Sequence, residues 1–152
     1  MNCTMKKILS FAVIFTALCC FCACEGSSSK GLAPKDISGK TVILSGCSRT
    51  IKFTSNSSGT IIVGNSGAAD KVRYVRYKKS SADEAKIEFS WYDSDKSKSN
   101  PYALDEEASF TLTFATESTG IYGGTLNAHS WSYGKDKGTQ QKNYSGKTFS
   151  VN

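Results

Sequence analysis

Beyond its first 24 residues the chain has very little cysteine and histidine. All of its cysteines except Cys47 lie within that N-terminal stretch. A disulfide framework requires paired cysteines, so the body of the protein must fold without one. A single histidine, His129, does not supply the ligand set of a usual His/Cys metal site, and there is no Gly-x-Ser-x-Gly elbow for a serine hydrolase. We therefore expect no enzymatic activity, no catalytic residues, no metal and no cofactor, and we expect Cys47 to be a small buried apolar residue.

The body of the chain also lacks helical periodicity. Short apolar or alternating segments follow one another instead, separated by turns rich in Ser, Gly, Asn and Asp. Ile87, Phe89 and Trp91 share one face of such a segment, and Phe110 and Leu112 share one face of another. This period of two predicts an antiparallel sheet with one buried face, with Trp91 in the core. About eight such segments predict an all-β fold, an antiparallel meander that closes into a small up-and-down β-barrel.

The tetrapeptide Ser-Gly-Lys-Thr occurs twice, at Ser38–Thr41 and at Ser145–Thr148. A phosphate-binding P-loop has a further glycine five residues before its Gly-Lys pair and a helix after it. Pro34 and Gln141 stand at those positions, and a strand-like segment follows each copy. We therefore interpret the two copies as entries into the first and the last strand, which become neighbours when a meander closes.

The N-terminus has the three-part layout of an export signal. Lys6 and Lys7 precede an almost wholly apolar run from residue 8 to 23, which ends in "FCAC". Ala23 followed by Cys24 resembles a bacterial lipobox, in which the cysteine is lipidated and becomes the mature N-terminus, although Phe21 stands where a lipobox usually has Leu. We predict lipidation of Cys24, with ordinary secretion and a retained membrane anchor as the alternatives. The domain organisation predicted is a signal peptide over residues 1–23, a Ser/Gly-rich tether over 24–35 and a single β-barrel domain over 36–152.

The segment "DISGKTVIL" resembles the first strand of lipocalin-like domains, in which Gly-x-Trp begins the barrel; Thr41 stands in place of that Trp. The whole body is similar to small bacterial lipoproteins built of "SGKT", "TLTF" and "FSW" strand units. This resemblance implies a calycin-type barrel and a location in the cell envelope. We expect the outer membrane, with secretion as the alternative.

The segment from residue 122 to 144 contains the candidate ligand-binding residues. Its rings stand among Gly, Ser, Asn and Gln, a composition that suits a glycan or a partner surface. Our first hypothesis is a non-enzymatic, lipid-anchored protein with a binding or structural role, in which the aromatic loop region 128–144 contacts a glycan or an envelope protein. The alternative is a lipocalin-like carrier of a small apolar ligand inside the barrel. We expect no nucleic-acid partner, because an exported protein rarely meets one. The candidate residues are His129, Trp131, Tyr133 and Tyr144.

Overall fold

A computed structural model describes residues 31–64 and 66–152 of the chain. The predicted signal peptide, Cys24 and residues 24–30 of the predicted tether lie outside the described residues. The described chain is all-β, as predicted, with eight strands. The strands are β1 (Thr41–Leu44), β2 (Arg49–Ser55), β3 (Ser58–Val63), β4 (Lys71–Lys79), β5 (Glu84–Tyr92), β6 (Ala103–Phe114), β7 (Thr119–Ser132) and β8 (Lys135–Val151).

The strands form one antiparallel sheet that curls into a nearly closed barrel. Its order is β3-β2-β1-β8-β7-β6-β5-β4, so strands adjacent in sequence are adjacent in the sheet except for β3 and β4. The first and last strands are neighbours through a ladder that pairs Val42 with Val151. The two edge strands approach each other, and an isolated bridge joins Ile62 of β3 to Ala68 in the loop that leads to β4. The predicted up-and-down barrel is therefore confirmed, with its opening between β3 and β4.

The second Ser-Gly-Lys-Thr copy lies in a different place from the one predicted. The first copy precedes β1, as expected. The second, Ser145–Thr148, lies inside β8, at an irregularity in the pairing with β7 between Tyr122 and Gly124. β8 begins ten residues earlier, at Lys135. The prediction was wrong because both faces of that early part of β8 are largely exposed, so it carries no apolar alternation that would mark it as a strand.

Aromatic side chains fill the interior of the barrel. Phe110 lies at the centre, with its ring centroid 6.1 Å from that of Phe89 and 5.0 Å from that of Tyr122. Trp91 and Cys47 are buried, as predicted. Gly124 allows β7 to approach β6 closely, because a Cβ there would lie 2.2 Å from the carbonyl oxygen of Ser109. Packed side chains therefore occupy this part of the interior.

The chain enters the barrel at the end where β1 begins and β8 ends, which we call the base. Ala33 and Ile37 are buried in the core there. The Tyr77 hydroxyl donates a hydrogen bond of 2.7 Å to the carbonyl of Pro34, and Lys79 Nζ donates one of 2.6 Å to that of Ala33. Residues 31–35, part of the predicted tether, are thus packed against the barrel. The opposite end, where β7 turns into β8, is called the mouth.

We expect Tyr77→Phe to lower the free energy of unfolding by about 1 kcal/mol, because the carbonyl of Pro34 loses its donor. Burial raises the pKa of Tyr77 to about 12, so the phenol is a donor at neutral pH. A folded-state pKa above the unfolded value of 10.0 stabilises the fold below pH 10, and this contribution disappears as the pH rises towards 12. Urea unfolding at pH 7 and at pH 11 measures both effects. Tyr133→Phe, at an exposed residue, is the control and should change neither.

Candidate functional site

The hairpin of β7 and β8 extends beyond the barrel at the mouth. On one side β8 pairs with β7 along nearly its whole length. On the other side its ladder with β1 covers three residues, Phe149–Val151, and Ser45 adds one backbone hydrogen bond to Thr148. Among the described residues, no strand lies beside β8 on this side from Lys135 to Lys147. We call this stretch the free edge of β8.

A cleft of about 550 Å³ opens at the mouth, between the inner face of the hairpin and the turn that joins β1 to β2. It contains hydroxyl, amide, ammonium, guanidinium and carboxylate groups together with two tyrosine rings. It is therefore suited to a polar ligand that also presents some apolar surface. Its lining residues are Gly46, Cys47, Ser48, Arg49, Tyr102, Leu104, Glu106, Leu126, Ala128, Ser130, Gln140, Lys142 and Tyr144.

A buried ion pair forms the floor of the cleft. Arg49 Nε donates a hydrogen bond of 2.7 Å to Glu106 Oε2, and Arg49 Nη2 donates a second one to Oε1. The indole N–H of Trp91 donates to the same carboxylate at 2.9 Å. The side chains of Arg49 and Glu106 are only 12% and 2% exposed. Because β2 and β6 are four positions apart in the sheet order, this pair spans the interior and joins opposite walls of the barrel.

The groups of this ion pair have little capacity left for a ligand. Arg49 Nη1 donates to the carbonyls of Cys47 and Ser48, and both oxygens of Glu106 already accept hydrogen bonds. Burial acts to lower the pKa of Arg49, but its hydrogen bond and charge contact with Glu106 raise it above the ordinary value. The two opposite charges of the pair compensate each other, and its hydrogen bonds fix its position. Recognition of a ligand therefore depends on the groups around the pair.

The four candidate residues predicted from the sequence lie in three different places. Tyr144 lines the cleft, and its ring packs edge-on against Phe110 at 5.7 Å between centroids. His129 and Trp131 lie on the opposite, outer face of β7, with their rings 4.2 Å apart. Tyr133 lies at the tip of the hairpin, 59% exposed. The structure thus brings His129 and Trp131 together but does not place them with Tyr144.

The Trp131 ring is already in contact with two side chains of its own chain. Lys96 Nζ lies 3.8 Å from its centroid, and the imidazole of His129 packs against it. His129 is held in turn, with Nε2 2.8 Å from Asp136 Oδ1 and Nδ1 2.7 Å from Thr139 Oγ1. These contacts secure the loop between β5 and β6 to the outer face of the hairpin. They leave less of the ring surface available for stacking on a sugar.

Several residues of the cleft were not predicted from the sequence, although the sequence contains a signal for two of them. Arg49 has the same parity as the inward-facing Ile51 and Phe53, and Glu106 has the same parity as Phe110. Opposite charges at inward positions of two strands indicate a pair inside a barrel. Tyr102, Gln140 and Lys142 had no comparable signal, because they lie where apolar alternation is weak.

Comparisons with protein-family models, with curated proteins and with solved structures gave no match. In residues 31–64 and 66–152, no group of three or more His, Cys, Asp or Glu side chains is arranged to hold a metal ion. The same residues include no helix that is long and apolar enough to cross a membrane. The barrel and its cleft therefore provide the geometry from which a function can be inferred.

Proposed function

We propose that this protein is a non-enzymatic binding protein of a bacterial cell envelope, anchored by lipid on Cys24, and that it binds its ligand in the mouth cleft. One observation carries the proposal: aromatic side chains fill the barrel, while a polar cleft opens at the mouth. The chain enters at the base, so an anchor there directs the mouth away from the membrane. The groove of about 660 Å³ at the base, which residues 31–35 help to form, would face the membrane.

The chemistry of the cleft supports binding rather than catalysis. Burial raises the pKa of the Cys47 thiol, which makes it a poor nucleophile at neutral pH. His129, the one histidine of the chain, lies on the other face of β7 and has no access to the cleft. The remaining groups provide hydrogen bonds and charge. A polar ligand also fits this cleft better than the small apolar ligand of a lipocalin-like carrier, because charged and amide groups line it.

A pair of adjacent substitutions tests the site. Gln140 faces the cleft and Gln141, the next residue of β8, faces outward. Both are exposed, so Trp at either position should leave the fold intact. We expect Gln140→Trp to fill the cleft and weaken ligand binding at least about tenfold, equivalent to a loss of about 1.4 kcal/mol. We expect Gln141→Trp to change binding less than about twofold.

The measurement is a screen of the full chain in detergent micelles against glycans, lipids and extended peptides, followed by titration of each hit with both variants. Thermal unfolding of the two variants checks that the barrel is intact. Equal binding by both variants would contradict a site in the cleft.

A further inference from the structure

We propose that the ligand of the cleft is an extended, acidic segment of a partner protein, which adds as a strand to the free edge of β8. This inference rests on the proposed function, because it specifies what occupies the same cleft. Strand addition uses the backbone groups of an unpaired edge for affinity and side-chain pockets for specificity. Both are present here, side by side.

The free edge contains a regular stretch of suitable length. Irregularities in the pairing of β7 with β8 lie at Ser130/Trp131 and at Tyr122/Gly124. Between them, Thr139–Tyr144 pairs without interruption. These residues span about 20 Å, which is the length of an ordinary strand. Bulges commonly protect a sheet edge against pairing, but here they lie at either end of the stretch and leave its middle regular.

The cleft lies beside this stretch, in continuation of β1. The last contact of the β1 end with β8 is made by Ser45, whose N–H and hydroxyl both donate to the carbonyl of Thr148. Beyond it the chain turns away at Gly46, and the position next to Thr139–Tyr144 is empty of any described strand. A strand in that position would continue the line of β1. Every second side chain of it would point inward over Gln140, Lys142 and Tyr144, which line the cleft.

The charge of β8 favours an acidic occupant. Lys142 lines the cleft, and no carboxylate of the described residues lies within salt-bridge distance of its ammonium group. Lys135, Lys137 and Lys147 lie along the same strand. The one acidic residue of β8, Asp136, is bonded to His129 on the outer face. An inward Asp or Glu of an added strand would therefore meet Lys142 without a competing partner.

The same charges argue against a second copy of the chain. Antiparallel pairing of two free edges would bring two lysine-rich strands together, and like charges on opposed strands are destabilising. The chain's own tether is also too short to occupy the free edge. The seven residues 24–30 extend at most about 25 Å and start from the base, whereas Thr139 lies twelve residues of strand, about 40 Å, above Val151.

The experiment uses three synthetic eight-residue peptides with the full chain in detergent micelles. The first alternates Thr with Glu, the second alternates Thr with Lys, and the third repeats the first with N-methylated alternate residues. We expect the first peptide to bind and the other two to bind at least about tenfold more weakly. The second peptide lacks the acidic charge, and the third lacks backbone N–H donors. Hydrogen exchange should slow in Thr139–Tyr144, since alternate amides of that stretch point to the free edge.

Charge-reversal variants supply the matched comparison. We expect Lys142→Glu to weaken binding of the Thr/Glu peptide by at least about tenfold, since it removes the attraction and adds a repulsion. Lys52→Glu, at an exposed residue of β2, adds the same charge away from the cleft and should change binding less than about twofold.

Three results would overturn strand addition. The first is binding of the N-methylated peptide as strong as that of the parent, and the second is a glycan hit blocked by Gln140→Trp with no peptide bound. The third is peptide binding without slower exchange in Thr139–Tyr144. Ligand binding that is insensitive to Gln140→Trp would instead contradict the proposed function itself.

Discussion

Glu106→Leu is expected to lower the free energy of unfolding by about 3–5 kcal/mol. The substitution leaves the guanidinium of Arg49 nearly buried without its counter-ion, and it removes the acceptor of the Trp91 N–H. Removing one partner of a buried pair costs about this much, since the remaining charge keeps its desolvation penalty and loses the compensating attraction. Small domains are stable by about 5–15 kcal/mol, so the variant would be close to unfolding in mild conditions.

Urea unfolding followed by tryptophan fluorescence measures this loss, because Trp91 reports on the pair directly. A double variant separates the lost interaction from the lost volume. In Arg49→Met/Glu106→Leu no buried charge remains, so we expect it to be more stable than Glu106→Leu alone. Glu88→Gln is the control, since its pair with Lys86 is partly open to solvent and should contribute less than about 1 kcal/mol. A loss below about 1 kcal/mol for Glu106→Leu would show that the pair does not hold the walls together.

The ion pair links stability to the cleft. It joins β2 to β6 across the interior and at the same time forms the surface on which a ligand would lie. A barrel of this size would be filled by side chains throughout if its inward residues were all bulky and apolar. Arg49 and Glu106 end the aromatic packing near the mouth, and the cleft begins there. The cleft thus begins where the inward-facing side chains change from aromatic to charged ones.

The packed part of the barrel could be predicted from the sequence, and the cleft could not. Segments such as Phe110–Phe114 alternate strictly, because one face is buried and the other solvated, and the predicted buried Trp91 and Cys47 are confirmed. The early part of β8 is exposed on both faces, so its residues carry no period of two. Arg49 and Glu106 are 57 residues apart, and their contact depends on the curvature of the whole sheet. Parity indicates that both side chains point inward, but the local pattern does not show which strands face each other across the barrel.

The anchor is a prediction from the sequence, and its test has the other large expected effect. We expect Cys24→Ser to abolish incorporation of a fatty-acid analogue and to release the protein from the membrane fraction. Each acyl chain contributes about 0.8 kcal/mol per buried methylene, and several chains on one cysteine give a stable attachment that a single serine cannot replace. Cys19→Ser, within the same apolar run, is the control and should retain both properties.

The outcome for the released protein follows from the fold. The described barrel begins with the packing of Ala33 and Ile37 at the base, downstream of the substituted residue, so Cys24→Ser should unfold at the same urea concentration as the parent. It should also keep its ligand affinity, because the cleft lies at the opposite end. Membrane attachment and labelling that both persist in Cys24→Ser would contradict the lipid anchor. They would leave the cleft unaffected, and they would favour the alternative of a retained apolar anchor, which also precedes the base.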